Sequence, residues 1–216
     1  MFSKEKMKKD NIIMMFTGVI GMGIFLSFLL NVDFGVDTAT FLNNSIAERT
    51  HLPLGTIMIL MNSICLVPQL IFGRDLIHLG TIANMTMIGY IADFCRFLEN
   101  RYLPAAMFQV LGWRILTFAV SLFLFLICVA LYMNADLGQV PFDSIAIMVS
   151  RGFHLPFMPV RMVWDFLLIA GGLLAGGKLH IATVILALTV GPAVTAVGKV
   201  INKMLGRSEL GKAEEA

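Results

Sequence analysis

The sequence predicts an all-α polytopic membrane protein with six long transmembrane helices and two short broken or re-entrant helices, built from two sequence repeats. Three observations lead to this: few charges, long apolar blocks and a pattern that recurs along the chain. Of the 216 residues, 58% are hydrophobic and 14% are charged, and the mean hydropathy is +0.84. A soluble domain has about 25% charged residues. Because so few charges cannot cover the outside of a domain in water, the solvent is predicted to be a lipid bilayer.

Six apolar blocks are candidate transmembrane helices. Four of them approach the ~20 residues that an α-helix needs to cross a hydrocarbon core: residues 11–32, 52–73, 115–135 and 179–198. Two shorter blocks, residues 76–92 and 162–177, can also cross. The first block follows a lysine-rich start, but it is too long for a signal-peptide core and lacks a small-residue cleavage site. We therefore predict a retained first helix.

The chain also matches itself when it is shifted by 103 residues. Six identities fall within 23 positions without a gap: Asn31, Asp33, Gly35 and His51-Leu52-Pro53 align with Asn134, Asp136, Gly138 and His154-Leu155-Pro156. An internal repeat of this kind predicts a duplicated fold. The predicted organisation is a basic cytoplasmic N-terminus (1–10), membrane repeat 1 (11–97), a connection (98–113), membrane repeat 2 (114–200) and a cytoplasmic tail (201–216). Duplicated membrane folds often place substrate sites at the repeat interface, although duplication can also simply build a stable bundle.

Three motifs resemble the YczE/YyaS/YitT group of bacterial integral membrane proteins, YczE most closely: "NADLGQVPFDS" from Asn134, "GGKLHIAT" from Gly176 and "LTVGPAV" from Leu188. The group's first element is matched by Ala135, Asp136, Leu137, Gly138, Pro141 and Asp143, and its glycine-threonine pair by Gly80 and Thr81. The chain departs from the pattern at Ala182, where the group has glycine, and at Thr38, where it has proline. The resemblance covers roughly residues 12–200 and implies a six-helix protein of the bacterial cytoplasmic membrane.

Each Asp-x-Gly segment predicts a bend followed by a short helix. Gly35 and Gly138 let the backbone turn, and Pro141 suits the first turn of a helix. Irregular backbone at membrane depth must be buried in protein or line a wet cavity. The segments could re-enter, which makes the repeats inverted and leaves eleven of sixteen basic residues inside, or cross, which makes the repeats parallel and leaves fourteen inside. The positive-inside rule favours crossing, hydropathy favours re-entry, and both place the two termini in the cytoplasm.

The candidate substrate- or ion-binding residues lie at these bends and on one later helix. Asp37 and Asp143 are expected within the short helices, where they could bind or take up protons. Asp33 and Asp136 are expected to hold the turns, or to cap the short helices. The remaining candidates are Asn31 and Asn134 beside the bends, and Arg161, Trp164 and Asp165. Arg161 and Asp165 are spaced i, i+4 and can form a salt bridge; alternatively, Arg161 builds an anion site with Trp164 as a wall.

These patterns favour a small-solute transporter, coupled to protons or a cation, over a non-transporting accessory that stabilises a partner protein. An enzyme is not predicted, because no nucleophile–base pair is visible. No motif for a metal, a cofactor or nucleic acid occurs. The expected partners are the lipid bilayer and a small solute, with a homo-oligomer or a protein partner as further options. Cys65, Cys95 and Cys128 have no paired spacing and are predicted to be small hydrophobic residues.

Overall fold

The structure, a computed structural model, describes residues 9–187, and every regular element among them is helical. The elements, in chain order, are α1 (Lys9–Val32), α2 (Thr38–Thr50), α3 (Leu54–Phe72), α4 (Leu79–Tyr102), α5 (Ala106–Gln109), α6 (Leu111–Asn134), α7 (Pro141–Phe153) and α8 (Phe157–Leu174). A 3-10 turn, Arg74–Leu76, joins α3 to α4, and residues 181–187 are again helical. The predicted basic N-terminus before Lys9 and the predicted cytoplasmic tail lie outside the described residues.

Four of the described helices, α1, α3, α6 and α8, are long and apolar enough to cross a membrane. Many large apolar side chains on these helices point outward, including Phe72 at 78% and Leu174 at 82% exposure. Contiguous apolar surface of this kind marks an interaction with lipid or protein. The last predicted span, residues 179–198, is described only as far as residue 187.

The predicted span at residues 76–92 corresponds to α4, and the end of this helix was predicted wrongly. The apolar block stops at Ala92, but the helix continues for three more turns to Tyr102. This extension carries Asp93, Arg96 and Glu99, so the apolar block ends before it, and its last part, from residue 98 onward, was assigned to the connection. Two of these residues are tied into the fold. Asp93 accepts a hydrogen bond from the Gly55 N–H (2.8 Å), and Glu99 is buried, with 5% of its surface exposed.

Helix α1 lies at the centre of the described bundle, packed against α6 and α4. Lipid tails are as apolar as leucine, so membrane helices associate by close packing at small residues. Gly18 is such a residue, because an added Cβ would lie 2.8 Å from the Cys128 carbonyl oxygen and 2.9 Å from the Tyr132 nitrogen. Gly23 approaches Ile91 of α4 in the same way, with 2.6 Å to its Cγ2.

Contacts at the helix ends show which of the long helices run parallel and which run antiparallel. Arg114, at the start of α6, donates two hydrogen bonds to the carbonyl of Val32 at the end of α1 (3.2 and 2.6 Å), so α1 and α6 are antiparallel. Asn31 reaches Glu99 near the end of α4 (2.6 Å), so α4 runs parallel to α1. Each short helix packs against a long helix: α2 packs against α8, and α7 packs against α3.

The two short helices have the same length and the same backbone at both ends. Each has 13 residues, follows a bend and ends at a histidine in the left-handed region. The φ angles match at positions 103 residues apart: 56° and 50° at Asp33 and Asp136, 124° and 110° at Gly35 and Gly138, and 59° and 53° at His51 and His154. Glycine adopts positive φ freely, and Asp and His are enriched there among other residues. Pro141 occupies the first position of α7.

Each bend also packs against a threonine at the start of a distant helix. An added Cβ on Gly138 would lie 2.4 Å from Thr81 Oγ1, and one on Gly35 would lie 2.7 Å from Thr183 Oγ1. The Val36 N–H donates to Thr183 Oγ1 (3.2 Å), and the Gly80 N–H donates to the Leu137 carbonyl (2.7 Å). Each bend is therefore held against a distant helix by a close approach that only glycine permits at Gly35 and Gly138.

Candidate functional site

The N-terminal ends of α2 and α7 meet on one face of α8. Thr38 of α2 donates to Asp165 Oδ1 (2.6 Å), and Arg161 Nη1 donates to Asp143 Oδ1 of α7 (2.7 Å). Arg161 Nε also donates to Asp165 Oδ2 (3.2 Å), which confirms the predicted i, i+4 pair. These four residues, Thr38, Asp143, Arg161 and Asp165, are called the Arg161 cluster below. The second partner of Arg161, Asp143, could not be predicted from helical spacing because it comes from another helix.

Asp37 lies immediately before α2, next to this cluster. It was expected within the short helix, but it is the N-cap residue, and its side chain accepts from the Thr40 N–H (3.0 Å). Burial raises the pKa of Asp37 above its ordinary value, the hydrogen bonds from Thr40 oppose this, and the charges of Asp143 and Arg161 act in opposite directions. Asp37 is therefore more easily protonated than an exposed aspartate.

The expectation that Asp33 and Asp136 cap the short helices is wrong. The N-cap positions are Asp37 for α2 and Val140 for α7. Asp33 and Asp136 instead follow the ends of α1 and α6, and both are exposed. Asp33 lies 3.8 Å from His180 Nδ1, with 72% of its side chain exposed. Asp33 and Asp136 contribute to the bends through their backbone, which has a positive φ at both residues.

The Arg161 cluster is charged and only partly covered by protein. The exposed fraction of the side chain is 7% for Asp165, 30% for Arg161 and 38% for Asp143. With Asp37 nearby, three carboxyl groups surround one guanidinium. Within residues 9–187, no group of His, Cys, Asp or Glu is arranged to hold a metal ion. A half-covered cluster of this composition can exchange protons and can bind a charged or polar group.

Several polar groups on the helices around the cluster are buried and have no hydrogen-bond partner among residues 9–187. They are both side-chain polar atoms of Asn43 on α2, Asn62 Oδ1 and Gln69 Oε1 on α3, and Trp164 Nε1 on α8. Gln69 uses its Nε2 to donate to Ser144 Oγ of α7 (2.7 Å). Buried polar atoms are almost always paired with protein, water or ligand, so each exception calls for an explanation. Trp164, predicted as a wall, packs against the nearby apolar cluster of Leu42, Cys65, Phe142 and Leu168.

The two predicted asparagines are not in the Arg161 cluster. Asn134 Nδ2 donates to the Ala130 carbonyl within α6 (2.7 Å). Asn31 lies beside Glu99 and Arg96 of α4. Glu99 was missed as a candidate because it was assigned to the connection between repeats. Its spacing of three residues from Arg96 is the signal that could have placed both on a continuing helix.

Two cavities lie elsewhere on the described surface. A cleft of about 390 Å³ is lined mainly by the end of α2 and by α4, and its charged or titratable residues are Glu48, His51, Asp93 and Arg96. An apolar groove of about 500 Å³ is lined by Ile46 and by one face of α3, including Ile57, Met61 and Ile64. Neither cavity is lined by the Arg161 cluster.

Comparisons with known proteins give a family without an assigned activity. The sequence model described as "Family of unknown function (DUF6198)" matches residues 9–199. An "Uncharacterized protein" from Haemophilus influenzae is 26% identical over 189 residues, which cover 87% of this chain and 82% of the relative. No solved structure matches the chain. Neither name is that of the YczE/YyaS/YitT group, so that finer resemblance stays a prediction.

Proposed function

We propose that this chain, which belongs to the DUF6198 family, is a small-solute transporter coupled to protons or a cation, with the Arg161 cluster as its binding site. The observation that carries the proposal is the convergence of two short helices on one charged face of α8. Interrupted helices whose N-termini meet at a polar site are a recurring device of secondary transporters. In this chain the two N-termini bring Thr38 and Asp143 to Arg161 and Asp165.

The chemistry of the cluster suits a solute that carries a negative group. A guanidinium binds a carboxylate or phosphate with two parallel hydrogen bonds. Such a group could replace Asp143 as the partner of Arg161. The carboxylate of Asp143, or that of Asp37 beside it, would then take up a proton, because a negative charge would otherwise remain without its cation. The unpartnered amide of Asn43 supplies a further donor and acceptor for polar parts of the solute, and the unpartnered side-chain oxygens of Asn62 and Gln69 supply acceptors.

The proposed topology is six crossings with inverted repeats in the bacterial cytoplasmic membrane. Two observations support inversion. Helices α1 and α6 are antiparallel, and each short helix packs along a long helix of the other half of the chain. The similar φ angles at positions 103 residues apart support duplication, as does the resemblance to the YczE/YyaS/YitT group. With α2 and α7 re-entrant, both termini are cytoplasmic and eleven of the sixteen basic residues lie inside.

Transport can be tested with the purified protein in proteoliposomes that contain a trapped pH-sensitive dye. A panel of small carboxylates, phosphates and amino acids is added outside under a potassium-diffusion potential. We expect at least one solute to change the internal pH with the wild type and to have no effect with Asp143→Asn or Arg161→Gln.

The matched control is Arg151→Gln, because Arg151 also pairs with an aspartate, Asp75 (2.9 Å), but on the exposed surface. This variant is expected to transport like the wild type. If Arg161→Gln and Arg151→Gln transport equally well, the Arg161 cluster is not the binding site. If no solute of the panel moves with folded wild type, the proposed solute class is wrong.

The second candidate is a non-transporting accessory, and the apolar groove on α3 is the observation that favours it. Its lining includes Ile64, which is 64% exposed, and has the apolar character that a partner's transmembrane helix would contact. A photo-crosslinking residue at position 64 in living cells distinguishes the two functions. A single protein adduct there, together with no transport, would favour the accessory.

A further inference from the structure

Glu99 is a second buried acid, on the interface between α4 and α1 and separate from the Arg161 cluster. Its side chain contacts Ser27 Oγ through Oε1 and accepts from Asn31 Nδ2 through Oε2 (2.6 Å). The residue is 5% exposed, and Ser27 is fully buried. A carboxyl group removed from water in this way must be neutral or closely paired with a cation.

The donors and acceptors around Glu99 show which of these applies. Ser27 has one hydroxyl proton but contacts two oxygens, Glu99 Oε1 and the carbonyl of Ile24 (2.5 Å). The carbonyl can only accept, so it takes the serine proton. A second proton is then needed between Ser27 and Glu99, and only the carboxyl group can supply it.

The other oxygen of Glu99 fits the same assignment. Arg96 Nε donates to Asn31 Oδ1 (3.3 Å), and since a guanidinium can only donate, this contact fixes the orientation of the Asn31 amide. Asn31 Nδ2 therefore faces Glu99 and donates to Oε2. In a carboxylic acid, one oxygen accepts and the other donates, which is the pattern that Asn31 and Ser27 require.

We propose that Glu99 is a proton-binding site that holds its proton in this conformation, and that Arg96 becomes its counter-ion when the proton leaves. The leaving proton passes to water in the cleft of about 390 Å³ that Arg96 lines. The negative charge left on Glu99 is then neutralised by Arg96, one helical turn away on α4. This site uses none of the residues of the Arg161 cluster and does not depend on the proposed transport.

Among residues 9–187, few other titratable groups surround Glu99. On α4 they are Arg96 and Cys95. On α1 the contacting residues, Ser27 and Asn31, are neutral, and the only charged residues of that helix, Lys9 and Asp10, lie at its opposite end. Helix α3, which also packs against α4, has no charged side chain. Within the described part of the chain, Arg96 is therefore the charged group in position to pair with Glu99.

The test is the infrared band of a protonated carboxyl group, measured on protein in dodecyl maltoside, a detergent without ester carbonyls. At neutral pH we expect the wild type to show a band that is missing from Glu99→Gln and retained in Glu48→Gln, a control at an exposed glutamate. Glutamine reproduces the protonated acid, since its oxygen accepts from Asn31 and its amide donates to Ser27. Its melting temperature at neutral pH should therefore match that of the wild type.

Arg96→Gln provides the second arm. Without the cation, the carboxyl band should persist to higher pH than in the wild type, because loss of a positive neighbour disfavours the carboxylate. Ser27→Ala, which removes the acceptor of the proton, should move the band to higher frequency even if Glu99→Gln does not fold. Identical spectra of the wild type and Glu99→Gln, or an unmoved band in Ser27→Ala, would overturn the proton site. An unchanged titration in Arg96→Gln would overturn the role of Arg96.

Discussion

The guanidinium of Arg161 on α8 pairs with two carboxylates, Asp143 of α7 and Asp165 of its own helix. Removing it leaves both acids near the N-termini of α2 and α7 without their cation. Removing either acid alone leaves Arg161 with the other. The three positions are therefore unequal, and their stability effects should differ in a definite order.

Arg161→Gln is expected to lower the free energy of unfolding by about 1–3 kcal/mol. This is below the ~3–5 kcal/mol of a fully buried pair, because the Arg161 side chain is 30% exposed. Chemical unfolding in detergent measures the difference. Arg151→Gln, at an exposed pair, should cost at most about 1 kcal/mol. Equal losses in the two variants would contradict a structural role for Arg161.

The double variant Asp143→Asn, Asp165→Asn should lose more stability than the sum of the two single variants. Each single change leaves one carboxylate in contact with Arg161, whereas the double change removes both carboxylates that contact this half-buried guanidinium. Residues in one charge network commonly show coupling energies of about 0.5–3 kcal/mol. A double-mutant cycle on the same unfolding measurement tests this, and strictly additive losses would mean that the two acids act independently.

At the scale of the elements, the bends before α2 and α7 depend on glycine. Gly138 combines a φ of 110° with a Cβ position only 2.4 Å from Thr81 Oγ1. Gly138→Ala is therefore expected to cost more than about 1 kcal/mol of stability, since alanine is strained at positive φ and also clashes. The thermal melting of purified protein measures the loss.

Gly152 provides the control of opposite sign. It lies near the end of α7, and nothing would lie within 4 Å of an added Cβ. Alanine favours a helix over glycine by roughly 0.5–1 kcal/mol, so Gly152→Ala should leave the melting temperature unchanged or raise it. A similar decrease in both variants would show that the bend at Gly138 is not specially constrained.

The elements that local rules govern could be predicted, and those that distant contacts govern could not. Gly138 indicates a turn and Pro141 indicates the start of a helix in any surroundings, so the bend and the short helix could be predicted. The extension of α4 depends on Ser27 and Asn31 receiving Glu99, which no local pattern reveals. The contact between Asp143 and Arg161 could not be predicted for the same reason, because helical spacing relates residues of one helix and this pair joins two helices.

At the scale of the whole molecule, Arg101 distinguishes the two topologies. With six crossings, the end of α4 lies outside the cell, whereas with eight crossings it lies in the cytoplasm. Arg151, in the last turn of α7, is cytoplasmic in both topologies. Single cysteines at these positions, in a variant without Cys65, Cys95 and Cys128, can be labelled with a membrane-impermeant maleimide.

We expect Arg101→Cys to react in intact cells and Arg151→Cys to react only after the membrane is opened. Labelling of both positions only in opened membranes would contradict re-entrant short helices and favour parallel repeats. Re-entry also accounts for the apolar surface, because α3 and α8 then remain at the lipid boundary with the exposed side chains they carry.

The left-handed backbone at His154 offers a route to a more robust preparation. This residue ends α7 with a φ of 53° and is exposed. A residue other than glycine gives up roughly 1–2 kcal/mol in this conformation, so His154→Gly should relieve strain without removing a packed side chain. The variant is expected to withstand longer storage in detergent and to give more monodisperse material for crystallisation or cryo-electron microscopy.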